Sequence, residues 1–308
     1  MQNNNVIDTI YSNQQFISNQ LFNYDEQRAI LNLGAGAYNN TTQRSTLAAA
    51  ANAYYIDLWN YFQQGNLPIL SQKDDLQIRV YMDTLVNNAV TGTATLSTGP
   101  TSTINSCNLI ARVSRLHSSD VSNRLRLHHS RPEHYKFNEL RFGTLAVASG
   151  VSQTSFVLTP LTGHCNYLFF TVRPTASITG EGYYNYTAIS NYAILDGTST
   201  NIVGGQSIPN AMALLLLGRN WTRSSYLSET ALGTTNNGAN VYVWSFSASC
   251  TETATTGVDL NTYRFTGNEQ LQITFTGALA ANTTIDIYAH MASVVEVSHN
   301  AVKKLSIN

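Results

Sequence analysis

The sequence predicts an all-β protein built as two tandem eight-stranded jelly rolls, a double jelly roll, with an N-terminal helix and short inter-strand helices. Three observations lead there. Short runs rich in β-branched and aromatic residues recur along most of the chain, separated by Gly, Asn and Thr clusters. No strand–helix–strand rhythm interrupts them, which argues against a parallel sheet. A faint internal echo also relates Tyr135-Lys136-Phe137 and the runs at 155–158 and 167–172 to Tyr263-Arg264-Phe265 and the runs at 271–275 and 284–288. Two similar β-modules after an N-terminal segment would use the whole chain, and a jelly roll resolves its sheet edges by folding into two packed sheets. The expected division is 1–45 for the N-terminal helix and linker, 46–174 for the first jelly roll and 175–308 for the second.

In chain order, Ile7, Ile10, Tyr11, Ile17 and Leu21 recur near every third or fourth residue against an Asn/Gln-rich face, which predicts a helix within residues 1–30. Residues 34–53 read as a linker, with a turn at Tyr38–Thr42. The spacing of Tyr55, Leu58, Trp59 and Phe62 fits a helix, whereas Tyr54-Tyr55-Ile56 also fits a strand. The clearest strands are Leu76–Tyr81, Asn108–Val113, Ser155–Leu158, Tyr167–Val172, Val241–Phe246, Leu271–Phe275 and Thr284–Tyr288, several of them alternating apolar with polar.

Composition narrows the function. The 308 residues include 17 Lys and Arg against 18 Asp and Glu, so the chain is nearly neutral and only 11% charged. A general nucleic-acid binder needs a basic surplus, and no specific nucleic-acid binding is expected. The longest aliphatic run, Ala213–Leu217, is far short of the roughly 20 residues that cross a bilayer. The N-terminus has neither the basic start nor the apolar stretch of a signal peptide, so synthesis and assembly in the cytoplasm are expected. Cys107, Cys165 and Cys250 have no metal-binding spacing and read as buried thiols.

The search for chemistry returns no catalytic constellation, no cofactor and no metal site, and the chain is not expected to be an enzyme. The G-x-S-x-G elbow and the phosphate-binding loop are absent. His128-His129-Ser130-Arg131-Pro132-Glu133-His134 has metal-ligand residue types, but adjacent histidines diverge, and a polar inter-strand helix or loop is the favoured reading. Arg112, Arg115, Arg124, Arg126 and Arg131, followed by Lys136 and Arg141, concentrate positive charge. With no aromatic stacking platform among them, a subunit interface is favoured over nucleic acid. The apolar N-terminal face of Val6, Ile7, Ile10 and Ile17 either packs under the first module or faces a membrane.

The order of the runs resembles the double jelly-roll major capsid proteins of lipid-containing icosahedral viruses, especially the compact versions in bacteriophages. Tyr55-Ile56-Asp57-Leu58, Leu67-Pro68-Ile69-Leu70 and Asp75–Val80 look like that family's early strands. Leu109–Val113, Asn123-Arg124-Leu125-Arg126 and Glu133-His134-Tyr135 resemble its strand, Arg-rich short helix and entry to the next strand. Val241–Phe246, Thr256–Arg264 and Ile287–Val297 resemble the closing elements of its second barrel. The resemblance implies a major capsid protein that self-assembles as a pseudo-hexagonal homotrimer and tiles an icosahedral shell around an internal membrane. Its partners would be its own copies in neighbouring trimers, penton or vertex proteins, and the internal membrane through the N-terminus, and its location the virion. The five arginines would then lie at a capsomer interface and Val6, Ile7, Ile10 and Ile17 would face the membrane. The alternative is a carbohydrate-binding jelly roll, a lectin or adhesin, stacking sugars on Tyr183, Tyr184, Tyr186 or Trp221.

Overall fold

In a computed structural model, the structure describes residues 6, 8–14, 17, 77–81, 107–110, 115, 117–176, 186–198, 202, 208–209, 240–246, 262–298 and 301–305. Helix α1 (Ser118–Ser130) leads through Arg131 and Pro132 into a series of antiparallel strands. They are β1 (Glu133–Val147), β2 (Gln153–Val157), β3 (Gly163–Pro174), β4 (Ile189–Leu195), β5 (Ile208–Pro209), β6 (Tyr242–Ser245), β7 (Tyr263–Phe265), β8 (Gln270–Phe275), β9 (Thr283–Ser298) and β10 (Ala301–Leu305). A six-stranded sheet runs β1-β9-β3-β6, with β10 on β9 and β7 on β3, and a four-stranded sheet runs β2-β8-β4-β5. Successive strands therefore shuttle between the sheets, and β1 lies beside the last long strand, β9. That winding is a jelly roll.

Strands on both sides of residue 174 share these sheets. β1 and β3 pair with β9, and β2 pairs with β8, so the division expected at 174/175 falls between β3 and β4 of one sandwich. Two of the three runs that echo one another are bonded neighbours: Phe156 opposes Leu271, and Phe169 opposes Tyr288, whereas Tyr135–Phe137 pairs with β9 and Tyr263–Phe265 with β3. Paired strands facing the same two environments acquire the same alternation, which accounts for the echo.

Periodicity explains the core. On β9, Ile285, Ile287, Ala289 and Met291 point between the sheets, where they join Leu168, Phe170 and Val172 of β3, Tyr192 and Ile194 of β4, and Leu271 and Ile273 of β8. The alternate residues of β9 and β3 are also buried: Tyr288 and Phe169 belong to a second apolar layer on the outer face of the six-stranded sheet. A strand buried on both faces reads as a continuous apolar run, as Tyr167–Val172 does. Between Cys165 and Tyr167 the register shifts, and this bulge resets the phase, so Cys165 faces the same core as Leu168.

The expected strands at 155–158, 167–172, 241–246, 271–275 and 284–288 all lie within or overlap observed ones. Residues 77–81 and 108–110 do not: they have no ladder among the described residues, and Tyr81 and Ile110 are 87% and 82% exposed. Alternation alone cannot supply the missing hydrogen-bonded neighbour. The stretch read as a polar inter-strand helix or loop at 128–134 is the end of α1 followed by the start of β1. Among the described residues, no helix is long and apolar enough to cross a membrane.

The β7–β8 connection turns on a carboxylate. Glu269 accepts hydrogen bonds from the backbone N–H of Thr266 and Gly267 and from the Thr266 hydroxyl, at 2.9–3.0 Å. Burial alone would raise its pKa, but these donors outweigh it and hold the carboxyl below its ordinary range. Gly267 adopts φ +94°, and a Cβ there would stand 2.9 Å from the Thr162 methyl. Gly267→Ala is expected to destabilise the fold by about 1–3 kcal/mol, read as a lower denaturation midpoint.

Candidate subunit interface

The outer face of the six-stranded sheet carries a second buried layer. Its residues come from β1, β9, β3 and β6 in register. Leu140 opposes His290 and His290 opposes Tyr167, while Phe142 opposes Tyr288 and Tyr288 opposes Phe169. The rings stack: Tyr167 on His290 at 4.3 Å, Phe169 on Tyr288 at 5.1 Å, and Phe142 against Tyr288 at 5.0 Å.

The N-terminal segment covers part of this band. Residues 12–14 and 17 are helical, as the spacing predicts, and Ile17 is fully buried with Phe169, Tyr288 and Val243. Asn13 is the polar anchor: its Nδ2 donates to the Tyr288 hydroxyl at 2.9 Å, and its Oδ1 accepts from the Tyr186 hydroxyl at 2.7 Å. Tyr11 lies against Phe142 with ring centroids 4.7 Å apart. Of the residues expected to face a membrane, Ile17 is instead inside the subunit, because its side chain fills the aromatic band. Ile10 is half-buried, Val6 is 70% exposed, and Ile7 lies outside the described residues.

At the β1–β2 end of the same face sits a buried ion pair. Arg173 Nε donates to Asp286 Oδ2 at 3.0 Å, and the Thr144 hydroxyl donates to Asp286 Oδ1 at 3.1 Å. Both charged side chains are nearly inaccessible, at 9% and 5% exposure, so the pair stands only because each neutralises the other.

Towards the opposite end the band passes through His290. Burial alone pushes this imidazole down from 6.5 to about 3, so it is neutral in the folded chain. A folded-state pKa below the unfolded value means that the unfolded chain binds the extra proton. Stability from this residue is complete above about pH 6.5 and falls by roughly 1.4 kcal/mol per pH unit below it, until about pH 3. Glu269, also depressed, acts in the same direction at lower pH. Denaturation midpoints are expected to fall between pH 7 and pH 5, and His290→Phe, which keeps the stack on Tyr167, is expected to flatten that fall.

Charge collects where α1 meets β1. Of the arginines expected at a capsomer interface, Arg115, Arg126 and Arg131 are exposed; Arg124 lies in α1, and Arg112 is outside the described residues. Sequence reasoning missed the carboxylate partners on this end. Glu296 meets His134 Nε2 at 3.1 Å, and Glu139 meets Lys304 at 2.6 Å and Arg141 at 3.4 Å. For Glu296–His134 and Glu139–Lys304 the signal was concealed because each pair joins strands remote in sequence, whereas Glu139 and Arg141 are neighbours on β1.

No catalytic or metal-binding arrangement emerges among the described residues, where no group of three His, Cys, Asp or Glu could hold an ion. Burial pushes the Cys165 thiol well above its ordinary range, which leaves it protonated and inert. Cys107, expected to be buried, is exposed, and Cys250 lies outside the described residues. Of the aromatics considered for sugar stacking, Tyr186 is 4% exposed and committed to Asn13, so it presents no free ring. Tyr183, Tyr184 and Trp221 are outside the described residues.

No family model matches the sequence, and no curated protein matches it. Solved structures do match. The chain is similar to PBCV-1 VP54 as fitted into a reconstruction of the virophage Sputnik, with a TM-score of 0.61 and 14% identity over 98% of this chain and 81% of that one. A quasi-atomic model of the PBCV-1 virus capsid matches 63% of this chain and 55% of its own, with 14% identity and a TM-score of 0.43. The Faustovirus major capsid protein matches 57% of this chain and 36% of its own, with 6% identity and a TM-score of 0.42. The VP54 match shows the fold: the chain is all-β, of the double jelly-roll class that the sequence predicts.

Proposed function

We propose that this chain is a viral major capsid protein that assembles as a pseudo-hexagonal homotrimer and tiles an icosahedral shell around an internal membrane. The observation that carries the reading is the shared fold with VP54 over 98% of the chain, at a TM-score of 0.61. A structural role, not a catalytic one, fits a molecule whose ordered polar groups tie strands together. The low charge suits it too, because a neutral polar surface packs against its own copies without like-charge repulsion. The exposed arginines at and before α1 belong in this reading to contacts beyond the subunit. Penton or vertex proteins would complete the shell, with the virion as the location and host cytoplasm as the place of assembly.

Light scattering of the purified protein tests the reading. A mass near three times 33.8 kDa, with a pseudo-hexagonal outline by electron microscopy, is the expected result. A monomer that forms no symmetric assembly overturns it.

A further inference from the structure

Charge is sorted along the sandwich. The β1–β2 turn (148–152) and the β8–β9 turn (276–282), which lie together at one end, contain no Asp, Glu, Lys or Arg. At the other end, α1 packs against β9, two residues separate α1 from β1, and β10 pairs back on β9. Register places His134, Glu296 and Lys303 side by side there, with Lys136 two residues along β1 on the same face. Arg126, Arg131, Lys136 and Lys303 are all exposed, and none joins an ion pair among the described residues. The carboxylates nearby are fewer than the cations: Glu133, Glu139 and Glu296 stand among Arg126, Arg131, Lys136, Arg141, Lys303 and Lys304, with Glu139 paired to Lys304 and Arg141, Glu296 against the His134 imidazole and Glu133 accepting from the Tyr135 hydroxyl. Asp120 is in the first turn of α1, away from the Arg126–Arg131 end. Beside Arg126, Leu127 is an apolar side chain left 57% exposed.

We propose that this basic end, formed by the C-terminal half of α1, the start of β1 and the β9–β10 hairpin, docks on an anionic lipid bilayer. A surplus of cations around one exposed leucine matches a surface of phosphate headgroups over acyl chains. Nucleic acid fits less well, because the one Tyr, Phe or Trp among the described residues of this end, Tyr135, has a half-buried ring whose hydroxyl is bonded to Glu133. The proposal rests on the shell reading above, in which one end of each sandwich faces inward. It moves the membrane contact from the N-terminal face, whose Ile17 is buried in the subunit, to the basic end.

Co-sedimentation of the assembled full-length protein with phosphatidylcholine vesicles, with and without phosphatidylglycerol, tests it. Binding only to the anionic vesicles is expected, weakening by about tenfold or more between low and physiological salt. Arg126→Gln/Arg131→Gln/Lys136→Gln is expected to weaken it by a similar factor with an unchanged mass by light scattering, and Arg126→Gln alone to weaken it part-way. Equal binding to both vesicle types, unaltered binding by the triple variant, or release of the protein from vesicles by low concentrations of duplex DNA overturns the proposal. Absence of a trimer from the parent protein overturns the shell reading instead, and the two failures are read separately.

Discussion

Asp286→Ala is expected to cost about 3–5 kcal/mol, the largest loss from any single charged residue described, because it strands the Arg173 guanidinium in a site 9% exposed. The Thr144 hydroxyl loses its acceptor in the same step. Equilibrium denaturation of the purified variant measures the loss. The pair variant Arg173→Met/Asp286→Leu separates charge burial from packing: with no ion left unpaired, most of the stability is expected to return. If Asp286→Ala costs less than about 1 kcal/mol, the pair is solvated in solution, and the outer face of the six-stranded sheet is less well covered than its burial indicates.

Phe170→Ala is expected to cost a further about 3–5 kcal/mol in its own right. Phe170 has no measurable exposure and sits between two tyrosines, edge-on to Tyr192 and stacked on Tyr242, each at 5.2 Å. Both tyrosines are pinned by their hydroxyls. Tyr192 donates to the Val243 carbonyl at 3.4 Å, and Tyr242 accepts from the Ile189 N–H at 3.0 Å while burial pushes its own pKa up to about 12. Neither ring can swing into the vacated volume without giving up that bond, so the cavity should persist. Val157→Ala, at a side chain 47% exposed, is the matching control and should change the midpoint little. Equal effects from the two substitutions would mean that the Phe170 site collapses.

Legibility in the sequence followed the range of the interactions. Tyr167–Val172 and Thr284–Tyr288 were readable because burial on both faces leaves an unbroken apolar run. Leu271–Phe275 was readable because one buried face leaves an alternation. β1 was harder to see over its full length, since Glu139 places a carboxylate at a buried position and is tolerated only through Lys304 and Arg141. β10 is short and carries two lysines. The Arg173–Asp286 pair joins residues 113 apart, and nothing local to either marks it. The same limit explains the boundary and the echo: composition reports which face of a strand is buried, not which strand lies beside it. For the N-terminal segment the helix and its apolar face were legible, whereas the occupant of that face depended on the aromatic band.

β9 makes the chain wait for its own end. It is the strand to which β1, β3 and β10 are all bonded, and its ladder with β1 begins at Glu133 opposite Val297, residues 164 apart. Closing so large a loop costs entropy before any burial repays it, so the sandwich belongs to the slow-folding, high-contact-order class. Until β9 is synthesised, β1 and β3 have no neighbour to separate them, and their unpaired edges are open to other chains. A chain truncated before Thr283 keeps every strand of the four-stranded sheet but loses the strand that joins β1 to β3, so its six-stranded sheet falls apart.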